Sequence, residues 1–142
     1  MRIAIGADHG GYEYKNQIIE MLKNNGYTVK DFGTDSAESC DYPEFAKRVA
    51  AAVASKEFDR GILICGTGIG MSIAANKQKG IRAALCSDLF SAKATREHND
   101  SNILCLGARV IDIGLALQIT EVWLNTPFSN EERHLRRIGM IE

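Results

Sequence analysis

The sequence shows no excess of either charge, no long apolar run and no paired cysteines, and each lack removes a class of protein. Lys and Arg number 17 against 18 Asp and Glu, a formal net charge of −1, without the basic excess or stripe of a nucleic-acid-binding protein. No stretch approaches the ~20 apolar residues of a membrane span. The opening MRIAIGADHGG runs straight into a strand with no signal peptide, so the cytoplasm is the expected compartment. Cys40, Cys65, Cys86 and Cys105 stand far apart, with no CxxC pair for zinc or redox work. In a reducing compartment they are four free thiols. His9, His98 and His134 lack metal-ligand spacing, so no metal is expected. No repeat, low-complexity segment or linker interrupts the chain, and one domain over residues 1–142 is predicted.

What is present centres on Arg60 to Asn76, RGILICGTGIGMSIAAN. Gly61-Ile62-Leu63-Ile64 is a continuous apolar run, as expected of a strand buried on both faces of a parallel sheet. Cys65 closes the run, Gly66, Gly68 and Gly70 follow at alternate positions, and Met71 to Ala75 reads as the start of a helix. Strand, glycine-rich turn and helix start gather backbone N–H groups around one small concavity, where an anion or a developing oxyanion is stabilised. The same field favours a thiolate at Cys65. The alternative is a small strand-end cysteine packed in the core; the three glycines directly after it favour the reactive reading.

Three familiar motifs nearly fit and each fails at Met71. A Walker A loop needs a lysine there, a dinucleotide fingerprint needs its third glycine there, and a cysteine phosphatase needs its phosphate-clamping arginine there. What survives is a thiol beside an oxyanion cradle, with the Thr67 hydroxyl two residues on.

In chain order, strands are predicted at Arg2–Gly6, Tyr27–Phe32, the central run, Arg82–Cys86 and Ile103–Leu106. Helices alternate with them. One runs over Tyr12–Asn25 with Gly26 as its C-cap, one opens at Pro43, one follows Ser87 or Asp88 to His98, and one runs from Asp112 to Leu124 before Pro127. Ser129 and Glu132 form a capping-box pattern for a last helix over about residues 129–138. The pattern predicts an α/β three-layer αβα sandwich, Rossmann-like, with a five-stranded parallel sheet in the order 2-1-3-4-5. Its cleft would lie between Asp8-His9 and Cys65–Gly70. The Asp112–Leu124 helix is apolar nearly all round, which points either to a second buried face in a homo-oligomer or to a cover from the C-terminal segment.

Around that cleft, Asp8 could accept a proton or hold a sugar hydroxyl, or cap the following helix, and His9 could contact an anion. His98 and Asn99 end a helix whose dipole favours a protonated imidazole, a usable general acid, although a surface histidine fits the same position. Arg133 and Arg137 are spaced i, i+4, with His134 and Arg136 beside them, so they can clamp a phosphate or form a solvated basic face offset by Glu131 and Glu132. Arg109 follows the fifth strand and could reach the same cleft or a partner's. Together these groups describe proton transfer next to a carbonyl on a phosphorylated sugar.

Six segments, ADHGG (Ala7–Gly11), DYPEFA (Asp41–Ala46), CGTGIGMSIAANK (Cys65–Lys77), REHN (Arg96–Asn99), LGARV (Leu106–Val110) and RHLRR (Arg133–Arg137), resemble ribose-5-phosphate isomerase type B. That family is similar in sequence to the galactose-6-phosphate isomerase subunits. The resemblance implies interconversion of ribose 5-phosphate and ribulose 5-phosphate without metal or organic cofactor. It implies Cys65 as the base moving a proton between C2 and C1, with Thr67 and the amides of Gly66, Thr67, Gly68, Ile69 and Gly70 holding the enediolate. His98 with Asp8 would open the sugar ring, His9, Arg133 and Arg137 would bind phosphate, and Asn99 and Arg109 would contact the sugar. It also implies a homodimer or homotetramer whose sites are completed by His98 and Asn99 of a neighbouring subunit, the last helix packing at the interface. One branch of the family uses a glutamate at the position of Met71, which methionine cannot replace, so the base falls to Cys65. A six-carbon sugar phosphate (allose or galactose 6-phosphate), a sugar-phosphate-binding module without turnover and a thiol phosphatase are the alternative readings.

Overall fold

Every predicted strand is present in the computed structural model, which describes residues 1–142. The strands are Arg2–Ala7 (β1), Thr28–Asp31 (β2), Arg60–Cys65 (β3), Ala83–Leu85 (β4) and Ile103–Gly107 (β5). The helices are Tyr12–Asn24 (α1), Tyr42–Ala54 (α2), Ile69–Ala75 (α3), Leu89–Asn99 (α4), Ile113–Asn125 (α5) and Glu132–Ile141 (α6). All pairings are parallel, and the sheet order is β2-β1-β3-β5-β4.

The expected order 2-1-3-4-5 is therefore corrected at its last two positions. β5 is buried at every residue, whereas β4 has three residues, none of them buried. A strand buried on both faces belongs inside a parallel sheet, and a short half-covered strand belongs at its edge. The longer apolar run takes the interior and β4 the rim. The predicted adjacency of β1 and β3 holds, with Ala7 opposite Ile64. The order reverses between these two strands, and their carboxyl ends open the cleft there.

Alternation along the strands divides the core. Ile3, Ile5, Ile62, Ile64, Leu104 and Leu106 face Ile18 and Leu22 of α1 and Trp123 of α5. Ala4, Leu63, Cys65, Ile103 and Cys105 face Phe45, Val49 and Val53 of α2 and Met71 and Ala75 of α3. Asp88 and Asp112 cap α4 and α5, accepting from the Ser91 and Leu115 amides at 2.7 Å each.

Two expectations about surfaces change. No apolar residue of α5 is strongly exposed, because α4 and α1 cover it rather than the C-terminal segment. The uncovered apolar residues instead include Ile69, Ile73, Leu85, Leu89 and Phe90 near the glycine loop and Leu135, Met140 and Ile141 on α6. The capping box does not form either. Glu131 is the N-cap of α6, and the Ser129 hydroxyl accepts from the Glu131 amide at 3.3 Å while lying 2.8 Å from His134 Nδ1.

Candidate active site

Cys65 ends β3 directly opposite Gly107, the last residue of β5. Its side chain is 5 % exposed, and its Sγ accepts the Gly68 N–H at 3.1 Å. The sulfur thus belongs both to the rim of the core and to the glycine loop. Gly68 has φ +78°, and a Cβ there would stand 2.5 Å from Leu85, so only glycine turns the loop over the thiol. Thr67 Oγ1 accepts the Ile69 N–H at 3.2 Å. The N–H groups of Gly66, Thr67 and Gly70 meet no acceptor within the chain. Those three amides are donors available to an incoming oxygen.

Asp8 and His9 leave β1 on the adjoining side. The Asp8 amide bonds to the Ile64 carbonyl at 3.2 Å, which docks this loop beside the end of β3. Asp8 Oδ1 accepts from Gly10 and Gly11 at 2.9 and 3.2 Å, and Oδ2 accepts from nothing in the chain. His9 Nδ1 accepts the Cys40 N–H at 3.3 Å, which places the ring proton of the neutral tautomer on Nε2, a free donor. The Arg109 guanidinium covers Gly66, with Nη1 3.2 Å from where a Cβ would stand. Tyr42, which the sequence places in the DYPEFA segment without a role of its own, lies on Gly70 so closely that a Cβ would meet its ring at 2.5 Å. Its signal was indirect, since only the position of α2 brings it to the loop.

The four cysteines differ in environment. Burial, with Asp88 adding to it, pushes the Cys86 thiol up to about 11. Burial also pushes the Cys105 thiol up, helped by Cys65 and Cys86. Both stay protonated and inert at neutral pH. No three His, Cys, Asp or Glu side chains stand close enough to hold a metal ion.

The remaining predicted residues lie elsewhere. α4 runs back antiparallel to the strands, so His98 and Asn99 arrive at the opposite edge of the sheet. There the Asn99 carbonyl accepts from Arg82 Nε at 2.8 Å, and the Asn102 carbonyl accepts from Gly61 at the start of β3 at 2.9 Å. From Gly61 to Cys65 is four strand steps, about 13 Å at ~3.3 Å each. α6 packs on α4, and His134 stacks on His98 with ring centroids 4.5 Å apart. Arg133 and Arg137 are exposed on the same helix. A cavity of about 550 Å³ opens at this edge, lined among others by Asn76, Arg82, Asn99, Ser101 and Glu142. Within one chain, then, Cys65, Thr67, Asp8, His9 and Arg109 come together, while His98, Asn99, Arg133 and Arg137 form a separate group a sheet-length away.

Burial holds the His134 imidazole below the usual histidine range; the His98, Arg133 and Arg137 charges act in the same direction, and Glu131, 3.5 Å from Nδ1, opposes them. Glu131 itself is held below the usual carboxylate range by its hydrogen bond from Arg133 Nε at 3.0 Å.

A doubly wound parallel sheet with a thiol and unpaired amides at its switch point defines the class of α/β enzymes to which the chain belongs. The chain belongs to the Ribose/Galactose Isomerase family, whose model matches residues 3–141, and it is an isomerase. It is 49 % identical over 140 residues to ribose-5-phosphate isomerase B of Escherichia coli, covering 99 % of this chain and 93 % of that one. The structure of ribose-5-phosphate isomerase B from Clostridium thermocellum superposes with a TM-score of 0.98 at 56 % identity, covering 99 % of this chain and 95 % of that one. The type B ribose 5-phosphate isomerase of Trypanosoma brucei superposes with a TM-score of 0.95 at 46 % identity, covering 99 % and 95 %.

Proposed function

We propose that residues 1–142 act as one isomerase domain that interconverts ribose 5-phosphate and ribulose 5-phosphate through an enediolate, with Cys65 as the base. The observation that carries this is the Cys65 sulfur at a strand tip, 3.1 Å from the Gly68 amide and beside three unpaired N–H groups. Moving a proton between adjacent carbons needs a base at the C–H and donors where oxygen gains charge. Cys65 as thiolate takes the proton from C2 and returns it to C1. The hydroxyl proton of O2 passes to O1, so nothing is added or lost. The Thr67 hydroxyl and the unpaired amides of Gly66, Thr67 and Gly70 hold the oxyanion, and Asp8 Oδ2 and His9 Nε2 face the sugar and its phosphate. Arg109 contacts the sugar from the same chain.

His98, Asn99, Arg133 and Arg137 serve the same reaction in a second copy. They lie about a strand length from Cys65 of their own chain, too far for direct contact with a substrate held there. A homodimer that lays the amino edge of one chain on the carboxyl edge of the other completes two sites. The exposed Ile69, Ile73, Leu85, Leu89 and Phe90 around the loop and Leu135, Met140 and Ile141 on α6 supply apolar area for that contact. In the assembled site His98, with Asp8, opens the furanose ring, and the two arginines with His9 hold phosphate. The expected compartment is the cytoplasm.

The test is turnover of ribose 5-phosphate beside allose 6-phosphate and galactose 6-phosphate, with exchange of the C2 proton into solvent followed by NMR. Cys65→Ala should fold and lose roughly 100- to 10,000-fold in turnover, the range of a positioned base. Near-native turnover in that variant would remove the mechanism, and binding without proton exchange in the native protein would leave a sugar-phosphate-binding module. Phosphate release would identify the phosphatase alternative.

A further inference from the structure

His134 is left without a role by that mechanism, yet it is buried and hydrogen-bonded at the amino edge. Its ring is 5 % exposed although its neighbours on α6, Arg133, Leu135, Arg136 and Arg137, are all exposed. Nδ1 lies 2.8 Å from the Ser129 hydroxyl, which is itself fixed by the Glu131 amide at 3.3 Å. The Ser129 amide donates to the Glu97 carbonyl at 3.3 Å, tying the segment before α6 to the residue preceding His98. His98, by contrast, is exposed, and no side-chain hydrogen bond within the chain holds its ring. Its one ring contact is the His134 face, centroids 4.5 Å apart and planes 36° from parallel.

We infer that His134 is the positioning residue of His98: its buried, hydrogen-bonded ring is the fixed face that sets the orientation of the His98 imidazole. The inference rests on the reading of His98 as the ring-opening acid. Two imidazoles in face contact do not both charge readily, and the environment decides which stays neutral. His134 is enclosed, and Arg133 and Arg137 of its own helix and His98 of α4 oppose a positive charge on it, with only the Glu131 carboxylate, 3.5 Å from Nδ1, in favour. A general acid must present its proton along one direction, and an exposed histidine at a helix end otherwise samples several rotamers. A rigid neutral ring against it removes that freedom without competing for the proton.

The assignment is tested by a double-mutant cycle on ribose 5-phosphate. His134→Ala should lower kcat roughly ten- to hundredfold, the scale of a misplaced catalytic group, with KM little changed. His134→Phe keeps a flat ring and should recover most of that loss. His98→Ala combined with His134→Ala should be no slower than His98→Ala alone. Penalties that multiply, or a His134→Phe variant as slow as His134→Ala, would overturn the assignment while leaving His98 as the acid. A His98→Ala variant with native turnover would instead sink the reading of His98 and this assignment with it. Should His134→Ala fail to fold, His134→Asn, which keeps a partner for Ser129 without a ring, takes its place with the same outcomes.

Discussion

The carboxyl edge of the sheet and the amino edge are made of different materials. At the carboxyl edge the groups aimed at solvent are main-chain amides of Gly66, Thr67 and Gly70, a thiol that is 5 % exposed and a carboxylate half-satisfied by Gly10 and Gly11. Their positions are set by β1 and β3, and ordering them at the moment of reaction requires no further loss of freedom. At the amino edge the groups are long exposed arginines on α6, Arg133 held by Glu131, and an exposed imidazole near the end of α4 whose ring rests on His134. Fixed amides suit charge that develops on one or two atoms. Mobile guanidinium forks suit a polyanion, which needs charge and reach more than sub-ångström placement. The difference also explains why the second edge has no evident use within its own chain: basic groups become a binding site only when something rigid faces them.

The sharpest way to break this comparison is to divide the two edges between chains. Cys65→Ala and His98→Ala should each be nearly inactive alone. Mixed and allowed to exchange subunits, they should regain about one quarter of native turnover, since half the dimers are hybrids with one of two sites intact. No recovery, with exchange verified by mass, would place both edges in service of separate sites.

A smaller effect separates fixed from mobile donors. Thr67→Ala should reduce kcat by about 100- to 1,000-fold if its hydroxyl serves the oxyanion, with KM close to native. Arg137→Ala should do the reverse, raising KM for the phosphorylated sugar roughly 10- to 150-fold, since loss of one charge-assisted pair is worth ~1.5–3 kcal/mol, while kcat changes less. Equal effects of the two substitutions on kcat would erase the distinction drawn between the edges. Steady-state kinetics on ribose 5-phosphate decides both.

The carboxyl edge was also the legible one. Strand, Cys65 and alternate glycines are contiguous, so their proximity follows from local geometry alone, and the neighbouring β1 loop follows from the adjacency rule for such sheets. What lay outside local reasoning was set by tertiary contacts. The exchange of β4 and β5 depends on which strand is longer and better buried, a comparison between segments. Tyr42 reaches Gly70 only because of how α2 crosses the sheet. Ser129 and Glu132 have the spacing of a capping box, yet the hydroxyl turns to His134 and the helix starts two residues later than that pattern implies. The His98–His134 stack joins residues 36 positions apart, and no spacing rule announces it.

The smallest expected effect concerns stability, and it localises acid sensitivity to the amino edge. His134 is held below the histidine value of 6.5 that it regains on unfolding. Between the two values the unfolded chain binds the additional proton, so this group's contribution falls as pH drops below about 6.5. Above that pH His134 is neutral in both states and contributes no slope. His98, Arg133 and Arg137 face it and oppose a positive charge on it, whereas Glu131 favours one. His134→Phe has no proton to gain, so its melting temperature should fall less between about pH 7.5 and pH 5.5 than that of the native chain. Cys86 and Cys105, with thiols raised by burial, do not titrate in that range and add nothing to the slope. Parallel melting curves for the two proteins would mean that the acid sensitivity arises elsewhere, and that the amino edge is no more dependent on protonation than the amide-built edge opposite it.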